Sequence, residues 1–152
     1  MHFDIAIIGF GPVGAAAANI FANKGFSIIV IDPKIEIWDI PRAVHFDGQT
    51  QRIFQSMGIF DEVEKIIDPI KGVNFLNRNG KTLLSVGFED HPKLNGYYEG
   101  VMFNQPKFES ILRHRAQKYE NIEFKLGSSL SNIEALENHN NLEVTNQETH
   151  EI

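Results

Sequence analysis

Apolar residues in the first third of the chain fall into two short runs separated by a longer, weakly amphipathic stretch. Residues 3–8, Phe-Asp-Ile-Ala-Ile-Ile, are nearly all apolar and stop at Gly9. That is the pattern of a short strand buried within a parallel sheet. Residues 12–24 predict a helix: proline is tolerated in a first turn, where its missing N–H would lack a partner anyway, and Gly25 supplies a stop. Residues 27–31, Ser-Ile-Ile-Val-Ile, predict a second buried strand that terminates at Asp32-Pro33. The three pieces form a βαβ unit of about thirty residues.

Beyond it, residues 33–41 read as irregular. Asp47 is a candidate N-cap for a helix reaching about residue 57, with Gly58 as its stop, and residues 60–67 read as another short helix. Residues 73–76 and 82–86 flank Asn77-Arg78-Asn79-Gly80, which predicts a hairpin with Asn-Gly turn chemistry. Residues 97–103 add a strand. Asn104 can cap a helix over residues 106–119 with Phe108, Ile111 and Leu112 on one face. Residues 122–126 predict a further strand, and 129–135 and 142–145 weaker ones. The pattern is that of an α/β protein with a Rossmann-like βαβ and a parallel sheet.

Composition narrows the chemistry. The absence of cysteine from the 152 residues excludes a disulfide framework, a thiolate zinc site and a cysteine nucleophile. The net charge of −6 comes almost wholly from Glu134, Glu137, Glu143, Glu148 and Glu151, a run without Lys or Arg that reads as a solvated chain end. The preceding residues are close to neutral, so there is no basic footprint for nucleic acid or an anionic membrane. Residues 5–23 carry no charge, yet no basic segment precedes them and Gly9, Gly11, Pro12 and Gly14 interrupt them. A signal peptide or membrane span is therefore not expected, and a cytoplasmic protein is.

The motif that carries chemistry is Gly9-Phe10-Gly11-Pro12-Val13-Gly14, a G-x-G-x-x-G between a predicted strand and helix, with Asp32 at the end of the next strand. Gly9 permits the tight turn, Gly11 lets a pyrophosphate approach the backbone, and Gly14 lets helix and strand pack closely. The helix start, opened by Pro12 and Val13, offers N–H donors and positive dipole to phosphates. Asp32 can accept hydrogen bonds from ribose hydroxyls and would repel a 2′-phosphate. The competing reading is a glycine-rich turn that only packs a helix on a sheet, and the fingerprint does not separate NAD from FAD. The histidines, His2, His45, His91, His114, His139 and His150, show no metal-ligand spacing, and His114 reads as part of a solvated helix face. No G-x-S-x-G is present. Trp38 and the phenylalanines read as core rather than as a base-stacking platform.

Three further segments narrow the choice. Ile40-Pro41-Arg42-Ala43-Val44-His45-Phe46-Asp47 with Arg52-Ile53-Phe54-Gln55-Ser56-Met57-Gly58, then Phe103-Asn104-Gln105-Pro106 heading a helix, then Tyr119-Glu120-Asn121-Ile122-Glu123, occur in that order. They resemble flavin-dependent aromatic hydroxylases, and among those the 3-(3-hydroxyphenyl)propionate hydroxylase-like monooxygenases. The resemblance implies FAD as cofactor, NAD(P)H as electron donor and a small aromatic acid as substrate, hydroxylated beside an existing phenolic hydroxyl. It places Arg42 where an arginine contacts FAD and Gln105 where a glutamine reaches toward the ribityl–phosphate stretch. Asp32 stands where glutamate is more usual. His45 lies near the flavin segment and is the one histidine to test; no residue is assigned as catalytic base.

The resemblance also implies an organisation: residues 1–70 as the first part of the FAD-binding domain, 71–103 as part of an antiparallel β substrate-domain excursion, and 104–152 as the return. Asp-Gly and Gly-Asp motifs that hold FAD further along the family's chain do not occur in their expected setting. The chain therefore reads as a cofactor-binding portion that does not hydroxylate by itself. Another flavin- or NAD-dependent oxidoreductase sharing the βαβ unit, and a non-catalytic dinucleotide-binding module, remain the alternatives.

Overall fold

The computed structural model describes residues 1–88, 93 and 96–149. In chain order the elements are β1 (Ile5–Ile8), α1 (Pro12–Ala22), β2 (Ile28–Asp32), β3 (His45–Asp47), α2 (Gly48–Ser56), α3 (Phe60–Val63), β4 (Ile67–Pro69), β5 (Gly72–Leu76), β6 (Thr82–Gly87), β7 (Gly100–Phe103), α4 (Gln105–Ala116), β8 (Ile122–Leu126), β9 (Ser128–Ala135) and β10 (Asn140–Asn146). They divide into two compact units, one of Met1–Asp39 with Glu109–Ile152 and one of Ile40–Phe108.

The first unit is built on a three-stranded parallel sheet in the order β1-β2-β8. β2 is central, pairing Val30 with Ile7 on one side and with Phe124 on the other. Ile28, Val30 and Ile31 are accordingly buried, as the uninterrupted apolar run predicts. α1 buries Ala15, Ala18, Asn19 and Ala22, a stripe at helical spacing whose alanines allow close approach. It ends at Ala22, two residues before the predicted end, and Gly25 turns the chain at φ +88°. Asn121 donates from its amide to the Ala22 and Phe26 carbonyls at 3.0 and 2.7 Å, satisfying oxygens that the helix end leaves open.

β9 and β10 pair antiparallel, with an irregularity at Glu143/Val144. Glu134 and Glu143 thus lie in the strands of this hairpin, where the weaker strands over 129–135 and 142–145 are predicted. Both side chains are nevertheless exposed, so the charges stay in water. Glu151 lies outside the described residues.

In the second unit β7 is the middle strand of an antiparallel sheet, β3-β7-β4. Its outer strands are three residues each, too short to show a period, and neither is predicted by the hydrophobic pattern. The segment read as helix over 60–67 is helical only through Val63, tightens to a 3₁₀ turn at Glu64–Ile66, and is extended by Ile67. Asp68 precedes Pro69, and a residue before proline is pushed toward extended geometry. Phe46, Phe54, Phe103 and Phe108 form the aromatic core, with ring centroids 4.7 to 5.9 Å apart. The predicted hairpin is present as β5 and β6, its turn held by Asn77 Oδ1 accepting from the N–H groups of Asn79 and Lys81. α4 ends at Ala116 rather than residue 119, and Asn104 caps it by accepting from Lys107 N at 3.1 Å.

Asp47 caps α2 as predicted, its Oδ1 accepting from Thr50 N at 2.8 Å. That N–H holds the Asp47 carboxyl below the usual aspartate range. Asp47→Ala should cost about 0.5–2 kcal/mol at neutral pH. A depressed folded-state pKa means that the cap stabilises above the unfolded-state value near ~3.9 and loses its effect as pH falls through the lower folded-state value. Denaturant unfolding of both proteins should therefore show a gap at pH 7 that closes in that acid window.

Candidate functional site

β1 and α1 are joined by the glycine turn, and each glycine meets a different requirement. Gly9 adopts φ +102°, a region that side-chain-bearing L-residues avoid, while its N–H donates to the Ile31 carbonyl at 2.7 Å. Gly11 is the N-cap, in extended geometry, and its carbonyl accepts from Ala15 N at 2.8 Å. A Cβ added at Gly11 would meet no atom within 4 Å among the described residues. Pro12 opens α1, Val13 is 84% exposed, and among the described residues no side chain caps this helix. Its first-turn N–H groups are thus left for a ligand or water. At Gly14 a Cβ would collide with the Gly9 carbonyl oxygen and lie 3.2 Å from Ile7 Cγ2, so here the helix packs directly on the turn.

Asp32, 9% exposed, ends β2 and braces this turn. Its Oδ2 accepts from Phe10 N at 2.6 Å and its Oδ1 from Lys34 N at 2.7 Å. Bonds from N–H groups to a carboxylate are charge-assisted and short. Each oxygen keeps further acceptor capacity, so a ribose hydroxyl can still be received. The sequence reading assigned Asp32 to the ribose alone. Half of the structural role was visible, because Asp followed by Pro-Lys is suited to bonding the backbone two residues on.

Behind the turn lies α4. Gln105, Phe108, Glu109, Leu112, Arg113 and Ala116 are buried along it, whereas Ile111 is only half-buried. The inward stripe therefore includes two charged residues that an apolar pattern passes over. Arg113, 7% exposed, pairs with Glu109 at 2.8 Å, donates from Nη1 to the Ile35 carbonyl at 3.1 Å, and sets its guanidinium 4.8 Å from the centre of the Phe10 ring. The spacing of four between Glu109 and Arg113 was the available signal. His114 is exposed, as read.

In the second unit Gln105 and Arg42 are brought together, but through backbone. Gln105, 4% exposed, accepts at Oε1 from Arg42 N at 2.7 Å and Ala43 N at 2.8 Å. The Arg42 side chain is exposed. His45 is exposed on β3 beside Gly100, where a Cβ would lie 2.7 Å from its Nε2. Trp38 is not core: it is 44% exposed, with Lys34 Nζ 3.5 Å above its ring. It sits in the irregular segment after β2, outside any periodic element. Among the described residues no group of three His, Cys, Asp or Glu side chains could hold a metal ion, and no helix is long and apolar enough to cross a membrane. His91 and His150 lie outside the described residues.

Comparison with known proteins places this geometry in context. A family model described as FAD binding domain matches residues 2–152. The chain is 29% identical over 131 residues to a probable NADH-specific resorcinol 4-hydroxylase of Rhodococcus jostii, covering 86% of this chain and 24% of that protein. It is 32% identical over 127 residues to a 3-(3-hydroxy-phenyl)propionate/3-hydroxycinnamic acid hydroxylase of Comamonas testosteroni, covering 84% and 21% respectively. Its fold matches the crystal structure of the flavin-dependent monooxygenase PieE in complex with FAD and substrate, with a TM-score of 0.84 at 21% identity over 99% of this chain and 28% of that one. The chain thus spans about a fifth to a quarter of the length of these curated relatives.

The unequal surroundings of the glycines set up a direct comparison. Gly14→Ala should destabilise the protein by about 1–3 kcal/mol, the usual range for forcing atoms into a packed site. Gly11→Ala should cost less, about 0.5–1 kcal/mol, the preference for glycine over alanine at a helix N-cap. Denaturant midpoints of the two variants measured side by side check both values.

Proposed function

The chain belongs to the FAD binding domain family, and on that premise we propose that Gly9, Gly11, Pro12, Val13, Gly14 and Asp32 seat the adenosine diphosphate half of FAD. The observation that carries the proposal is the open space at Gly11, at the start of a helix that no side chain caps among the described residues. A diphosphate can come against the backbone there, and the residues present fit it. The backbone N–H groups of the first turn bind the phosphates, Asp32 orients the ribose, and Gly14 fixes the helix axis that aims the donors.

Arg42 and Gln105 are proposed as further contacts to the same cofactor. Gln105 acts first by fixing the backbone of residues 42–43, which leaves the exposed Arg42 guanidinium to meet a phosphate or a polyol. When bound, FAD supplies the redox chemistry that lets such enzymes hydroxylate an aromatic ring at the expense of NAD(P)H; the protein's share is to bind and orient it. For the whole protein we propose hydroxylation of a small phenolic or aromatic acid, in line with the names of its relatives. We further propose that residues 71–103 belong to the substrate-domain excursion between cofactor-binding residues 1–70 and 104–152. Nucleic acid and membrane partners form no part of this reading, and it places the protein in the cytoplasm.

Titration of ADP and FAD separately against the purified chain, with Gly11→Val alongside, tests the assignment. Gly11 has ordinary negative φ and open space, so the variant should lose only the preference for glycine at a helix N-cap, about 1 kcal/mol, yet bind both ligands at least about tenfold more weakly. Equal affinity would remove the pyrophosphate from this turn. Asp32→Ala should differ in kind, lowering stability and affinity together. Each bond to a charged group is worth about 1.5–3 kcal/mol, and two of those at Asp32 are internal.

A further inference from the structure

We infer that Arg113 is a positioning residue for the adenosine diphosphate half of the cofactor, an inference that rests on the cofactor reading above. Two segments frame that half: the glycine turn, represented by Phe10, and the residues just after β2. Asp32 holds both from one side by accepting the N–H groups of Phe10 and Lys34. Arg113 holds the same two by different atoms, laying its guanidinium over the Phe10 ring and donating to the Ile35 carbonyl. The spacing between turn and strand end is therefore fixed twice, once by a carboxylate and once by a guanidinium.

The charge of Arg113 is not explained by packing alone. A buried ion pair such as Arg113–Glu109 gives little net stability over apolar side chains of similar volume. Moreover, Arg113 Nε is buried with no partner among the described residues, so the site accepts an unsatisfied donor to keep this side chain. What a guanidinium provides and an apolar chain does not is a planar fork: two donors held at a fixed angle, with a flat face for an aromatic ring. Glu109 sets the orientation of the fork. One residue earlier on α4 the Leu112 carbonyl accepts from Asn19 Nδ2 at 2.9 Å, which ties α1 to the same strut. The donors of the α1 first turn, the Asp32 carboxylate and the segment after β2 are thus referred to one helix.

The test uses the full chain and two variants. Arg113→Lys keeps the charge but loses the fork. The double variant Arg113→Met with Glu109→Leu removes the pair while refilling its volume, so no charge is left unpaired. ADP affinity should fall at least tenfold in both, while the double variant unfolds at or above the wild-type midpoint. A merely structural role could not produce that split. Hydrogen exchange without ligand supplies the second readout: the Phe10 and Lys34 amides should exchange at least tenfold faster in both variants, and the central β2 amides should be unchanged. Wild-type ADP affinity together with wild-type protection at Phe10 and Lys34 would overturn the inference. If the wild-type chain binds neither ADP nor FAD, the cofactor reading fails instead, and the exchange rates still decide whether Arg113 sets the turn.

Discussion

A carboxylate removed from water needs donors around it, and at the end of β2 the chain bends so that its own backbone supplies them. Asp32 draws in one N–H from the turn before α1 and one from the residues after its own strand. Those two bonds set where the strand stops, how tightly the glycine turn closes and where the α1 axis begins. The carboxyl ends of parallel strands are where α/β proteins bind ligands, so the brace and the proposed ribose contact share one group. Geometry and recognition are coupled here because the same oxygens serve both.

Side-chain amides extend that logic to places that regular structure does not reach. Gln105 fixes the 42–43 backbone, Gln51 donates to the Tyr98 carbonyl at 2.8 Å, and Asn121 closes the end of α1. Each uses a short side chain to satisfy backbone groups in irregular segments, which otherwise would have to face water. Gln51 Oε1 and Asn19 Oδ1 are left without partners among the described residues.

These amides also explain where the sequence was legible. The βαβ unit could be read because β2 is buried along nearly its whole length and α1 shows one small-residue stripe; period and composition agreed. β3 and β4 could not, since three residues carry no period and their pairing depends on β7, far away in sequence. The glycines of the candidate site were visible because their requirement is written in residue type. Arg113 and Glu109 were not: a helix with Lys107, Arg113, His114 and Arg115 looks solvated until one sees which charges lie on the Phe108–Leu112 side. Trp38 erred in the opposite direction, since size suggests burial and nothing in the residue type says which loop it decorates.

The difference between Gly11 and Gly14 has a bearing on how such a chain changes over generations. Gly14 is held by the fold itself, because any side chain there meets backbone. Gly11 has room around it and an unexceptional conformation, so folding alone selects only weakly, through the helix cap, for keeping it a glycine. A lineage that ceased to use the dinucleotide would be free to drift at Gly11 while Gly9 and Gly14 stayed fixed, and the motif would decay from its middle outward. The glycine least needed for folding is therefore the one whose persistence would report most directly on use.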